Sequence, residues 1–168
     1  GAQAVIDKLG QLSPKVLFTA DAYIYKGKIY DVIEKAAEVQ RTLHAQTVVV
    51  THYYGEQESL SAISNSMCWE NFISPVLPEQ FVFEQVEAEA PLFIMFSSGT
   101  TGKPKCMVHS HVGVFLNQQK ELLLQNNVKP GDRVMYVTTC SWMMWNWQLG
   151  TLATGAALVL FDGNPNYP

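Results

Sequence analysis

The spacing of apolar residues divides the chain into helix-like and strand-like segments. Over residues 2–12, Val5, Ile6, Leu9 and Leu12 fall on one helical face, and Pro14 ends the pattern. Residues 15–20 (KVLFTA) form an apolar run of strand length. Residues 23–30 (YIYKGKIY) predict a small hairpin turning at Lys26-Gly27, because glycine supplies the positive φ that a tight turn requires. Asp31 followed by Glu34 resembles a capping box, and Val32, Ala36, Val39 and Leu43 continue at helical spacing. Residues 47–51 (TVVVT) are β-branched throughout, which suits a buried parallel strand.

Residues 52–90 lose this regularity. Gly55, Pro75 and Pro78 predict a surface excursion, in which Trp69, Phe72 and Ile73 anchor a short helical turn. Glu84, Glu87 and Glu89 read as a solvated acidic stretch rather than metal ligands. Order returns with residues 92–96 (LFIMF), a buried strand, and a Ser/Thr/Gly loop over 97–105. Val108, Val112, Phe115, Leu116, Gln119, Leu122 and Leu123 then mark a helix face. A turn at 129–132 (KPGD) leads to a strand over 133–138 (RVMYVT). Residues 142–153 are apolar nearly all round and predict a buried helix, closed by Gly155 at the usual C-terminal position. A last strand is expected over 157–161. Strands alternating with helices argue an α/β fold of mostly parallel sheet segments flanked by helices. Residues 1–51 form its first α/β part, 52–90 an irregular connection and 91–168 the second α/β part.

Composition sharpens this picture. The 168 residues amount to one domain or a piece of a larger one. Charged residues make up 15% and hydrophobic residues 48%. Ordinary globular chains carry about 25% charge, so this one suits burial inside a bigger body. The net charge of −4 leaves no electrostatic footprint for nucleic acid. The longest apolar runs span only a few residues, against about 20 for a membrane-spanning helix, and no signal-type core opens the chain. It lacks an initiator Met and ends on Asn164-Pro165-Asn166-Tyr167-Pro168, so the expectation is an interior segment of a cytoplasmic protein. Cys68, Cys106 and Cys140 contain no C-x-x-C and read as small apolar residues in a reducing compartment.

The loop at 97–105 carries the chemistry. Gly99 and Gly102 let backbone N–H groups approach an anion, and Ser97, Ser98, Thr100 and Thr101 add hydroxyl donors. Lys103 and Lys105 add positive charge, and Pro104 stiffens the exit. The loop follows a strand, where open α/β sheets bind ligands. It is neither a Walker A loop nor a dinucleotide fingerprint: only two residues separate the glycines and Pro follows Lys103. On composition alone a flexible linker stays open beside a polyphosphate cradle.

The string SSGTTGKPK resembles, at every position, the phosphate-binding signature of the adenylate-forming enzymes, which include the acyl-CoA synthetases. Residues 91–110 and 142–165 are similar to the acetoacetate–CoA ligases of that family; the likeness is weaker over 1–51 and loose over 52–90. The resemblance implies part of the family's large N-terminal domain. It implies a ligase that adenylates a short acid with ATP and Mg²⁺ and passes the acyl group to coenzyme A, with acetoacetate the first candidate. That activity belongs to ketone-body and lipid metabolism. Acetyl- or propionyl-CoA-type synthetases, and a non-catalytic anion-binding module that keeps only the loop, are the alternatives. Carried over by position, Ser97, Ser98, Gly99, Thr100, Thr101, Gly102 and Lys105 would hold ATP phosphates, with Lys103 at a variable position. Trp142, Met143, Met144 and Asn146 would border the acyl pocket. The family's Tyr-Gly-x-Thr-Glu and Thr-Gly-Asp strings do not occur. The resemblance therefore implies that the activity needs the remainder of the polypeptide, and no catalytic or metal-binding residue is assigned here.

Asn146 is an amide in an apolar segment and needs a hydrogen-bond partner, for which a substrate keto oxygen or a backbone group are the candidates. The pair His109-x-His111 lacks further ligands nearby and reads as a helix start rather than a metal site.

Overall fold

In the computed structural model, residues 1–54, 57–73, 79, 81–97, 102 and 104–167 are described. They divide into two compact units. One takes in the described residues within 1–83 and 98–105, the other those within 84–97 and 106–168.

The first unit is built around a parallel sheet. Strands β1 (Val16–Ala20), β4 (Thr47–Thr51) and β5 (Ser66–Cys68) lie in the order β1-β4-β5. Val16 pairs with Thr47, and Val48 with Ser66. Because β4 is central, Val48, Val49 and Val50 are at most 1% exposed, which is the burial a β-branched run favours. Each such side chain contributes about 1.5–3 kcal/mol of hydrophobic stabilisation. Helix α1 (Ala2–Leu9) packs against α2 (Ile33–Leu43). From α2, Ile33 and Ala37 meet Val48, Val50 and Ile63 in the core. Asp31 Oδ1 accepts the Ile33 N–H at 2.8 Å, so this side chain caps the start of α2, whose first residue is Ile33 rather than Val32.

Strands β2 (Ala22–Tyr25) and β3 (Lys28–Asp31) form the expected antiparallel hairpin. Lys26 (φ 49°) and Gly27 (φ 70°) both take positive φ, as a two-residue turn of the primed type requires. A short 3₁₀ turn (Gln57–Ala62) precedes β5, and helix α3 (Trp69–Phe72) places Trp69 and Phe72 edge-on to Phe18.

The first strand of the second unit is β6 (Pro91–Ser97), which joins β7 (Lys105–Ser110) in a two-stranded sheet. The expected buried strand is only half-covered: Leu92 is 39% and Ile94 38% exposed. Residues 105–110 are strand, so Val108 belongs to β7 and not to a helix face. The helix starts one residue after Ser110, whose Oγ accepts the Gly113 N–H at 3.3 Å. Helix α4 (His111–Gln119) runs on as a π-helical turn (Lys120–Gln125). The expected strands at 133–138 and 157–161 shrink to β8 (Arg133–Val134) and β9 (Ala157–Leu158), a parallel pair. Helix α5 (Met143–Leu149) passes into a 3₁₀ turn (Gly150–Thr154) that ends at Gly155. This segment is not buried all round: Trp142 is 69% and Met143 54% exposed. The core here is Leu122, Val128 and Ala156, against which Val134 and Trp147 pack.

Candidate functional site

The loop 97–105 leaves the last residue of β6 and returns at the first residue of β7. Of the residues expected to hold phosphate, Ser97 is half-buried, Gly102 is exposed with φ +135°, and Lys105 is exposed. Ser98, Gly99, Thr100, Thr101 and the neighbouring Lys103 lie outside the described residues. A Cβ on Gly102 would meet nothing within 4 Å, so its glycine answers to backbone conformation and not to crowding. The Pro104 carbonyl accepts from Gln11 Nε2 at 3.0 Å, and the same amide donates to the Asp7 carbonyl, which ties the loop exit to the end of α1.

Within the second unit, β6, β7, α4 and α5 enclose a cleft of about 360 Å³. Met143, Asn146 and Trp147 line it from α5, three positions that helical geometry places on one face. Phe93 and Met95 come from β6, and His109 from β7. Met143 and Asn146 thus share the cleft, whereas Trp142 and Met144 are not among its lining residues. The Asn146 amide donates to Met95 Sδ at 2.7 Å. A thioether is a weak acceptor, so this donor faces the cleft with a partner that an oxygen would outbid.

Sequence reasoning overlooked the support behind Asn146. Its backbone carbonyl accepts from Gln118 Nε2 at 2.8 Å, and the Gly150 carbonyl from Gln119 Nε2 at 3.0 Å. Two adjacent glutamines on a helix carry no pattern that announces such a role. Gln148, 2% exposed, accepts the Tyr136 N–H at 3.3 Å and fixes the other side of α5. The His109-x-His111 pair is divided between β7 and α4. Among the described residues no group of three or more His, Cys, Asp or Glu side chains could hold a metal ion. Among them, too, no helix is long and apolar enough to cross a membrane.

The fold is mixed α/β, with a parallel sheet flanked by helices, and the Ser/Thr/Gly segment stands in sequence between β6 and β7. The chain belongs to the AMP-binding enzyme family, whose model matches residues 1–168. It is similar to acetoacetyl-CoA synthetases from Macaca fascicularis (44% identical) and Rhizobium meliloti (43%), with all of this chain and 26% of each relative covered. A malonamoyl-CoA synthetase of Penicillium aethiopicum is 40% identical over 99% of this chain and 24% of its own length. Acetoacetyl-CoA synthetase from Streptomyces lividans superposes with a TM-score of 0.91 at 38% identity, covering 100% of this chain and 25% of that one. The chain therefore spans about a quarter of the length of the relatives it matches.

Proposed function

We propose that the chain contributes the ATP-phosphate loop and one wall of the acyl pocket to an AMP-forming acid–CoA ligase acting on acetoacetate. The observation that carries this reading is the similarity to acetoacetyl-CoA synthetases along the whole chain. In the reaction, a carboxylate oxygen attacks the α-phosphorus of ATP and pyrophosphate leaves; the thiol of coenzyme A then displaces AMP from the acyl carbon. Ser97, Ser98, Gly99, Thr100, Thr101 and Gly102 would offer N–H and hydroxyl donors to the phosphates, and Lys105 its ammonium group. Mg²⁺ would offset phosphate charge; the described residues hold no acidic cluster for it, so no residue is assigned to it. The remainder of the polypeptide would complete the active site, and a cytoplasmic location accords with such substrates.

The pocket wall that carries Asn146 suggests a substrate class. The relatives' names point to acetoacetate and to malonamate, two acids that share a carbonyl on the carbon β to the carboxylate. Asn146 is the donor suited to that oxygen, with Trp142, Met143 and Met144 beside it in sequence.

The test is acid-dependent ATP–pyrophosphate exchange in an enzyme of the relatives' full length that carries this sequence. Acetoacetate should support exchange, and Lys105→Ala should slow it at least about tenfold, or about 1.4 kcal/mol. Exchange with no short acid overturns the reading. Full exchange in the Lys105 variant removes that residue from the site.

A further inference from the structure

We propose that Gln118 is a positioning residue for the acyl cleft: by clamping α5 it sets where Asn146 presents its amide. The inference rests on reading that cleft as the acyl pocket. Helix α5 has only seven residues and passes directly into a 3₁₀ turn. At this junction the cap N–H groups go to the carbonyls of Trp147 and Gln148. The Asn146 carbonyl instead accepts from Gln118 Nε2 at 2.8 Å, a bond reaching from α4 across 28 residues of sequence. The helix that carries the substrate-facing amide is thus held from outside, at that same residue.

Gly150 makes the clamp possible. A Cβ at Gly150 would stand 2.5 Å from Gln118 Oε1, 3.0 Å from its Cβ and 3.2 Å from its Cδ. The Gln118 side chain therefore lies flat over a residue that has no side chain, and reaches back one turn to Asn146. Gln119 holds the Gly150 carbonyl itself at 3.0 Å, so α4 grips both ends of this turn. Gln118 and Asn146 also line the cleft together. Losing the clamp leaves a half-buried carbonyl without its donor and lets α5 shift, and a small displacement is enough to misplace a hydrogen bond to substrate.

Two substitutions reach the clamp from opposite sides. Gln118→Met keeps the length of the side chain and removes the donor. Gly150→Ala keeps the donor and pushes the amide away. The readout is the ratio of kcat/KM for acetoacetate to that for butyrate, which lacks the β-oxygen, in an enzyme of the relatives' full length. Each single variant should lower that ratio about three- to tenfold, the range of indirect coupling between residues. The double variant should fall about as far as the more affected single and short of the product of the two, because both act on one contact. A ratio that stays at the wild-type value in active Gln118→Met or Gly150→Ala enzyme overturns the proposal, as does an equal fall on both acids. If one variant does not fold, the other alone decides between these outcomes. Wild-type enzyme that makes no thioester from either acid overturns the reading of the cleft and this inference with it, a result distinct from an unchanged ratio.

Discussion

The side-chain amide of Asn146 points at the sulfur of Met95, 2.7 Å away, across the cleft between α5 and β6. A strong donor is held there by a weak acceptor, which leaves it available to a ligand oxygen. On the acyl-pocket reading proposed above, Asn146→Leu removes a bond that butyrate never makes. Loss of such a bond costs about 1–3 kcal/mol. The preference for acetoacetate over butyrate should therefore fall roughly ten- to hundredfold, read as a ratio of kcat/KM. Equal losses on both acids would make Asn146 a structural residue and move selectivity elsewhere in the pocket.

Asp21 stitches together the carboxyl ends of two parallel strands. It follows β1 directly, is 2% exposed, and its Oδ1 accepts the N–H groups of Ala22 at 2.7 Å, Tyr53 at 2.8 Å and Tyr54 at 3.2 Å. Tyr53 and Tyr54 lie just beyond β4. Asp21→Ala leaves these donors without that acceptor and should destabilise the first unit by about 3 kcal/mol. Asp21→Asn keeps one carbonyl oxygen and should lose less. Urea unfolding midpoints compare the three proteins; an Ala variant within about 0.5 kcal/mol of wild type would mean that water takes over these bonds.

The hairpin offers a gain instead of a loss. Lys26 holds φ 49° ahead of Gly27 at φ 70°. Asn tolerates the left-handed region better than Lys, and Asn-Gly is the preferred pair for this turn. Lys26→Asn should raise stability by roughly 0.5 kcal/mol or more, visible as a higher melting temperature. An unchanged or lower value would show that the Lys26 ammonium, 5.8 Å from the centre of the Tyr25 ring, contributes as much as the backbone strain takes away.

What could be read in advance followed from local chemistry. The hairpin was legible because Gly27 marks its turn, β4 because TVVVT suits only a buried strand, and α2 because Ala36 and Val39 repeat at helical spacing. Strand β5 escaped notice: three residues, Ser66–Cys68, are too few to show a period, and their pairing with β4 is set by tertiary contact. The β7–α4 boundary was misjudged because Met107 and Val108 suit strand and helix equally. The deciding signal was Ser110, a capping hydroxyl three residues before Gly113. Trp142 and Met143 look like core by hydropathy, yet they are 69% and 54% exposed. In the cleft, Asn146 stood out as a polar residue among apolar ones. Gln118 and Met95 did not, because their roles depend on which helix and strand face α5.

Gly131 and Gly155 give a last, graded test. They are bonded to each other, the Gly131 N–H donating to the Gly155 carbonyl at 3.1 Å, and both hold positive φ, +89° and +79°. An alanine at either position carries a conformational cost of about 1 kcal/mol. Their surroundings differ. A Cβ on Gly131 meets nothing within 4 Å, whereas one on Gly155 stands 3.3 Å from Pro130 Cβ and 3.4 Å from its Cγ, a ring that cannot swing aside. Gly155 also leads into Ala156 of the core and into β9, where the Ala157 N–H donates to the Asp132 carbonyl at 2.8 Å. Gly155→Ala should therefore destabilise by about 2 kcal/mol and Gly131→Ala by about 1 kcal/mol. Because Ala156 and Trp147 share one core, the Gly155 variant should also disturb α5, seen as a change in Trp147 fluorescence with the other tryptophans replaced. The opposite order of stabilities would show that the Pro130 contact relaxes freely and that turn conformation alone sets the cost.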